Sequence, residues 1–470
     1  MSALLAEAVG SALVVPLSEV ADLVRGVTYP KTDAREEPAP GFVPMLRATN
    51  IQDARLVLDS DLVFIAERHI SPDQLLRQGD IVVATSSGSR HLVGKSGQLH
   101  AAWHGSFGAF CATVRPRPGI HARYLALFLQ APAYWRQITK KALGVNINNL
   151  RRGDLESLEV PLPPLAVQAR IVAEIEKQFS RLDEAVASLN RVKANLRHYK
   201  AAVLMAAVEG SIGVDQAPGT SSRADTLLRE ALAERRLRWR GRGAYREPSA
   251  GEAFSAFPLP AGWTSAAIEQ IAWSVEYGSS AKTSETEGGV PVLRMGNIVE
   301  GEIDYSELKY LPADHDEFPR LLLEPGDLLF NRTNSPELVG KTAVFRGDRR
   351  CSFASYLIRV KTVSRCVPEF VAAYINSSYG RAWVKSVVTQ QVGQANVNGT
   401  KLRALAIPLP PLAVQQRIVA EVDRRLSIVR EVEAEVDANL KRAHALRRAV
   451  LHTAFGASRE REFGDAPHDR

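Results

Sequence analysis

A stretch of fourteen residues occurs twice in this chain. Pro161 to Glu174 reads PLPPLAVQARIVAE and Pro408 to Glu421 reads PLPPLAVQQRIVAE, with Ala169 opposite Gln416 as the one difference. The displacement between the copies, 247 residues, also aligns VPMLRATNI from Val43 with VPVLRMGNI from Val290, and Gly79-Asp80-Ile81 with Gly326-Asp327-Leu328. Val93-Gly94-Lys95-Ser96 meets Val339-Gly340-Lys341-Thr342 at a displacement of 246, so a single-residue indel separates the halves there. An internal repeat of this length fixes the architecture before any motif is weighed. The chain of 470 residues is one unit written twice, each half running from a globular part into a proline-marked segment and a tail.

The globular parts, about residues 11 to 160 and 258 to 407, carry short β-branched runs bounded by Gly, Asn, Ser and Pro. Asp80 to Ala84 and Asp327 to Phe330 read as strands. Tyr124 to Gln130 and Phe370 to Asn376 read as short helices, which gives a mixed α and β domain in each half.

After each PLPP the period changes to that of a long helix. Ile175, Leu182, Leu189, Leu196 and Val203 recur every seven residues, and Val422, Val429, Val436, Ala443 and Val450 repeat the pattern in phase. Phe179 and Val186, with Leu426 and Leu440, complete the alternating four and three spacing of a coiled-coil seam. Lys193 and Glu433 fall on that seam, which predicts a helix pair with partly wet layers. Pro164 and Pro411 suit a first helical turn, and Gly210 and Gly456 a left-handed residue after the last. Each helix then has about 44 residues and a length of roughly 66 Å. The second globular part begins where the first helix ends, which favours an antiparallel pair with the globular parts at its two ends, related by an approximate two-fold axis. Between them, Leu227 to Trp239 (LLREALAERRLRW) reads as a short Arg-rich helix within a linker.

Composition excludes several classes. Hydrophobic residues make up 45% and charged residues 24%, which is the balance of a globular chain. No apolar run reaches the roughly 18 residues of a membrane span, and Glu7 stands where a signal peptide carries basic residues, so the expectation is a cytoplasmic protein without a membrane. The cysteines Cys111, Cys351 and Cys366 are an odd number without a Cys-x-x-Cys pair, which argues against disulfides and thiolate zinc sites. A net charge of +7 permits a polyanionic partner.

Catalytic motifs fail one by one. Gly88 to Ser96 resembles a phosphate loop but has five residues between Gly88 and Gly94 where four are needed, so a turn before a strand is expected. Leu-Pro-Pro-Leu lacks the Asp or Asn and the aromatic that hold an amine for methylation, and reads as a helix start. Glu307-Leu308-Lys309 has only Asp304 upstream and reads as a solvated charge run. His100 and His104 fit one helix face, without a third metal ligand. No catalytic or metal residue is assigned.

What remains is a set of polar loop residues suited to phosphates and base edges. In the first half these are Tyr29, Lys31, Ser87, Ser89, Arg90, Lys140, Lys141, Asn146, Asn148, Arg151 and Arg152. In the second they are Tyr277, Ser279, Lys282, Asn331, Arg332, Asn334, Gln390, Gln391, Gln394 and Asn396. Asn and Gln pair with adenine, Arg with guanine and Lys with phosphate, so the two sets suit different sequences.

This organisation resembles the specificity subunits of type I restriction-modification systems over nearly the whole chain. The features that carry the likeness are Pro163-Pro164-Leu165 with Gln168 and Ile171, and Pro410-Pro411-Leu412 with Gln415 and Ile418. The linker string and Leu259 to Trp263 (LPAGW) carry it too, while Val167 and Val414 stand where family members commonly have Glu. The resemblance implies an α+β fold in which two target-recognition domains alternate with two long helices paired as an antiparallel coiled coil. It divides the chain into a first recognition domain (1–160), a helical region (161–211), a linker with a short helix (212–257), a second recognition domain (258–407), a second helical region (408–456) and a tail (457–470). It further implies a non-catalytic subunit that reads double-stranded DNA as two half-sites and binds no cofactor itself. Two modification (methyltransferase) subunits holding S-adenosylmethionine would dock on the helical regions, at Leu165, Gln168, Ile171, Leu412, Gln415 and Ile418, and restriction subunits using ATP would join them. The alternatives are a DNA methyltransferase or nuclease with an unrecognised motif, and a coiled-coil scaffold that does not touch DNA.

Overall fold

The computed structural model describes residues 9, 11–87, 92–142, 149–213, 224–239, 243–347, 349–391 and 394–456. It forms two units, residues 1–190 with 437–470 and residues 191–436, and the division falls within each long helix.

In the first unit, β1 (Leu13–Pro16) pairs antiparallel with β6 (Glu159–Leu162), Leu13 opposite Leu162, so the globular part opens and closes on one ladder. The main sheet places β2 (Ala21–Arg25), β5 (Cys111–Pro116), β3 (Ile81–Ala84) and β4 (Ser96–Gln98) side by side in that order, all antiparallel. Every residue of β3 is buried because the sheet has a core on each face. Ile81 and Val83 enter the core with α1 (Ala122–Phe128) and α2 (Pro132–Ala142), while Val82 and Ala84 enter a second one with Leu46 and Phe107. A strand covered on both faces reads as a continuous apolar run.

The second unit repeats the plan. Strand β7 (Thr264–Ala267) pairs with β15 (Ala406–Leu409), and β8 (Ala272–Tyr277), β12 (Leu357–Thr362), β9 (Leu328–Asn331) and β11 (Thr342–Val344) form the sheet. It is backed by α5 (Pro368–Asn376) and α6 (Ser378–Val387). It adds a small sheet in the order β10 (Thr333–Asn334), β14 (Gln394–Asn396), β13 (Thr389–Gln391). The linker helix α4 (Ala224–Leu237) buries Leu227 and Ala231 in this unit's core.

The repeated motifs are structural. Asn50, fully buried, accepts from Arg47 N at 2.8 Å and donates to the Ser60 carbonyl at 2.9 Å; Asn297 accepts from Arg294 N at 2.9 Å and donates to the Asp304 carbonyl at 2.9 Å. That accounts for the shared Leu-Arg-x-x-Asn-Ile. Gly94 and Gly340 adopt φ of +89° and +83° in turns leading to strands, and a Cβ there would meet Trp135 at 3.1 Å and Val384 at 2.6 Å. Left-handed backbone and a close helix each call for glycine. The turn expected before a strand is therefore present at Gly94, whereas Gly88 to His91 lie outside the described residues.

The long helices α3 (Leu165–Val208) and α7 (Leu412–Phe455) have 44 residues each. Each begins one residue after its second proline, whose carbonyl accepts the first helical bonds (Val167 N to Pro164 O and Val414 N to Pro411 O, both 2.8 Å). Gly210 takes the expected left-handed φ of +72°; Gly456 does not, and its N–H closes the helix onto the His452 carbonyl. In the first unit the start of α3 runs against the end of α7. The Arg447 guanidinium lies 4.0 Å from the Phe179 ring centroid and donates to Asp183 at 2.6 Å, and Phe455 packs on Tyr124 and Phe128. In the second unit the end of α3 meets the start of α7, with Val203 and Ala207 packed among Val414, Ile418 and Val422. The expected seam positions are buried or half-buried along both helices. Lys193 and Glu433 are both half-buried, and Glu433 makes a wet layer with Lys200, which donates to it at 2.7 Å and to Glu300 at 2.5 Å. Burial opposes its charge, and the bonds to the two glutamates outweigh it, holding the ammonium above its ordinary pKa.

Candidate nucleic-acid interface

Strand register makes positions in the two domains comparable one by one. Ala84 sits opposite Cys111 and Asn331 opposite Leu357; Arg25 sits opposite Ala112 and Tyr277 opposite Ile358. One residue further, Thr85 N donates to the Phe110 carbonyl at 2.8 Å and Arg332 N to the Tyr356 carbonyl at 3.0 Å. Leu150 N then donates to Thr85 O at 2.7 Å, as Val397 N does to Arg332 O at 2.9 Å, and Ser86 bridges Asn149 as Thr333 pairs with Asn396. The same place in each domain thus holds Arg25, Thr85, Ser86, Phe110 and Asn149, or Tyr277, Arg332, Thr333, Tyr356 and Asn396.

In the second domain these residues form a cluster. The Arg332 guanidinium lies 4.9 Å from the Tyr277 ring centroid, with Nη1 donating to Ser355 O at 3.3 Å and Nη2 to Asn396 Oδ1 at 3.5 Å. Asn396 Nδ2 donates to Thr333 Oγ1 at 3.1 Å, and the Tyr277 hydroxyl accepts from Gly399 N at 2.7 Å. Tyr277 remains 42% exposed. A half-buried arginine stacked on a tyrosine offers guanidinium N–H groups in a fixed plane, the chemistry that suits guanine or a phosphate.

The polar residues singled out in the sequence divide under this geometry. Tyr277, Arg332 and Asn396 come together. Lys31, Lys140, Arg151, Arg152 and Lys282 are exposed, Tyr29 and Ser87 half-buried, with Tyr29 packed on Val27, Met45 and Ile65. Arg151 N donates to the Asp154 carboxylate, which caps a short helix, and Arg152 pairs with Glu156 at 2.6 Å, so both sit at a helix start. Ser279 and Asn331 must be withdrawn as DNA contacts, because both are buried. The Ser279 hydroxyl donates to Glu317, and Asn331 Nδ2 to the Leu338 carbonyl at 3.3 Å. Ser89, Arg90, Asn146 and Asn148 lie outside the described residues, as do the side chains of Lys141, Asn334, Gln390, Gln391 and Gln394.

Four of the six expected docking residues are also corrected. Gln168 is fully buried; its Oε1 accepts from His121 N, the residue before α1, at 2.7 Å, and its Nε2 donates to Pro163 O at 2.7 Å. Gln415 repeats this with Val367 N, before α5, at 2.8 Å and Pro410 O at 2.9 Å. Ile171 and Ile418 are fully buried in their units' cores. The Gln and Ile after each Pro-Pro therefore fasten the long helix to its own globular domain. Leu165 is 50% exposed, and Leu412 is half-buried against the core.

The described residues hold no group of three His, Cys, Asp or Glu able to bind a metal. His100 and His104 do not share a helix, since the segment between β4 and the next strand is irregular. Burial pushes the thiols of Cys111 and Cys366 up to about 12, which removes them as nucleophiles. Asp304 is exposed and bonds Ser306, as a solvated charge should. No helix among the described residues is long and apolar enough to cross a membrane.

Comparison with known proteins agrees with this organisation. A family model, the type I restriction modification DNA specificity domain, matches twice, over residues 12–194 and 260–438. The EcoKI specificity subunit of Escherichia coli K12 is 29% identical over 446 residues, covering 94% of this chain and 88% of that protein. The StySPI specificity subunit of Salmonella potsdam is 27% identical, covering 94% and 87%. A solved chain from work on complex assembly and conformational transition of the type I R-M system shares the fold with a TM-score of 0.60 at 19% identity, covering 94% of this chain and 97% of that one.

Proposed function

We propose, because this chain belongs to the family of type I restriction-modification DNA specificity domains and is a DNA sequence-specificity subunit, that its two globular domains each read one half of a bipartite DNA site. The observation that carries this reading is one framework with different side chains at matched positions. Thr85 corresponds to Arg332 and Arg25 to Tyr277 on strands whose registers match over these residues, the one irregularity being a bulge at the start of β8, between Ala272 and Ser274. A shared scaffold supplies position, and the differing side chains supply sequence. Each 44-residue helix, fastened to its domain by Gln168 or Gln415, would set the spacer between the half-sites.

Catalysis would belong to partners. Two modification subunits carrying S-adenosylmethionine, matching the two copies of the helical region, and ATP-dependent restriction subunits would complete the complex, acting in the cytoplasm. The chain itself would hold no cofactor. Because four motif residues are buried, docking would use the exposed faces of the helices.

The test is a domain exchange. Residues 258–407 are replaced by the matching domain of a relative, and methylation by the assembled complex is mapped across a genome. One half of the methylated sequence should change while the other stays. A change in both halves, or in neither, would refute independent reading. The purified chain alone should transfer no methyl group from S-adenosylmethionine, and its affinity for DNA should fall steeply with salt as phosphates recover counterions.

A further inference from the structure

The strongest unexplained feature is a pair of exposed aromatic rings at one place in both domains. Ser106-Phe107-Gly108-Ala109-Phe110 and Ser352-Phe353-Ala354-Ser355-Tyr356 are the same device at a displacement of 246. In each, a two-residue strand pairs in parallel with the strand of the LRxxN motif, at Met45 and Leu46 or Val292 and Leu293. A hydrogen-bonded turn follows, Cys111 N to Gly108 O at 2.8 Å and Leu357 N to Ala354 O at 2.9 Å. The first aromatic, Phe107 or Phe353, is fully buried. The second, at the third position of the turn, is 68% exposed for Phe110 and 47% for Tyr356. The fold spends one ring on its core and holds the other out.

We propose that Phe110 and Tyr356 are base-contacting residues, each ring laid against the bases of its own domain's half-site. The proposal rests on the DNA-specificity reading and deepens it. Three observations favour nucleic acid as the occupant. The carbonyl of each aromatic is clasped by the strand-end residue that opens the variable set, Thr85 or Arg332, so ring and candidate readers share one loop cluster. The neighbours in the second domain are a guanidinium, a phenol and a carboxamide, which suit base edges rather than an apolar protein surface. What is kept between the domains is the aromatic, a flat apolar face that would seat the half-site against the reading residues beside it, while those flanking residues differ. An aromatic or apolar side chain pressed on a base step or a thymine methyl is an established way of gripping DNA.

The experiment uses the full chain assembled with its modification subunits, and a duplex oligonucleotide carrying the site mapped with the unaltered complex. Phe110→Ala and Tyr356→Ala should each weaken binding about tenfold or more. The first should relax methylation specificity in one half-site only, the second in the other, with melting temperatures unchanged because neither ring packs in a core. Phe110→Tyr and Tyr356→Phe should restore most of the affinity. The untouched half-site in each variant reports that the protein is folded. Alanine variants that bind and methylate like the unaltered complex would overturn the proposal. So would variants that lose assembly with the modification subunits while the chain's own DNA affinity is unchanged, since the rings would then be protein contacts. If the unaltered complex itself shows no sequence preference, the DNA-specificity reading fails instead.

Discussion

The first domain holds its buried carboxylate Asp80 with a single guanidinium, Nε and Nη2 of Arg115 at 2.9 and 2.8 Å. The second domain uses two cations at greater distance, with Asp327 lying 3.4 Å from Arg359 Nη1 and 3.7 Å from Lys361 Nζ. Lys361 occupies the register position of Arg115, and Arg359 that of the buried Thr113. Arg359 in turn bonds Glu276 at 2.7 Å and the carbonyls of Leu322 and Arg320 at 2.8 and 2.9 Å. Burial outweighs these looser contacts and raises the Asp327 pKa, while the bonds that Arg115 donates to Asp80 raise the Arg115 pKa. The turn before the third sheet strand needs an aspartate to accept the N–H of Arg77 or Glu324, and the cation beneath it is free to be rebuilt. Duplicated frameworks diverge in this way, with the backbone contact fixed and the partner negotiable.

The two domains should differ most at these carboxylates. Removing one partner of a well-formed buried ion pair costs about 3–5 kcal/mol, and Asp80→Asn should cost that much in denaturant unfolding. Asp327→Asn should cost less than half as much, because Arg359 keeps the Glu276 carboxylate, whereas Arg115 without Asp80 is left with only the carbonyls of Asp73 and Leu75. Equal losses would show that the two sites are energetically alike despite their geometry.

The glycine turns separate the domains by a smaller margin. A left-handed residue with a Cβ costs roughly 1–2 kcal/mol, and both Gly94→Ala and Gly340→Ala should lose that. Gly340→Ala should be the worse of the two in thermal melts, since its Cβ would fall 2.6 Å from a Val384 methyl where Gly94 meets the Trp135 edge at 3.1 Å.

The glutamine fastenings should behave alike in the two halves. Gln168→Ala or Gln415→Ala strands a backbone N–H at a helix start, a loss of about 1–3 kcal/mol. Genome methylation mapping of either variant should show unchanged half-sites with a less stringent spacer. Altered half-sites at the original spacing would mean that these residues act on reading and not on position.

The smallest effect lies in the helix seam. Lys200 has a raised pKa in the folded chain, so its contribution is complete below the ordinary lysine value of about 10.4 and disappears as pH rises through the higher folded value. Lys200→Met should flatten the alkaline limb of a stability–pH curve, by about 0.2–1 kcal/mol for a partly exposed pair. The first unit's seam bond comes from Arg447, and a guanidinium keeps its proton over that range. An alkaline limb unaffected by Lys200→Met would place the titration elsewhere.

Much of this was legible in the sequence for identifiable reasons. The heptad was readable because seam burial depends only on period, and the Pro-Pro helix starts because proline leaves no alternative. The meaning of Gln168 and Gln415 was not legible. A glutamine early in a helix reads as surface until the N–H it satisfies, 47 or 48 residues earlier, is seen. The buried state of Ser279 and Asn331 was hidden likewise, since a polar residue at a strand end looks the same whether its partner is water or the chain. Phe110 and Tyr356 had a readable signal, the pairing of SFGAF with SFASY, but a search for polar groups passes over an aromatic.

The ladders of β1 with β6 and of β7 with β15 carry a consequence for descent. The chain enters and leaves each globular domain through adjacent antiparallel strands, so both junctions of a transplanted segment lie on one seam already hydrogen-bonded to itself. A crossover between two related genes at the two identical PLPPLAVQ coding stretches would exchange α3, the linker and the second domain together, each junction falling in or just after a ladder strand, β6 or β15, and the second domain would arrive with its own ladder intact. New binding specificities would then arise by recombination in one step, with no intermediate that has to refold around a foreign boundary.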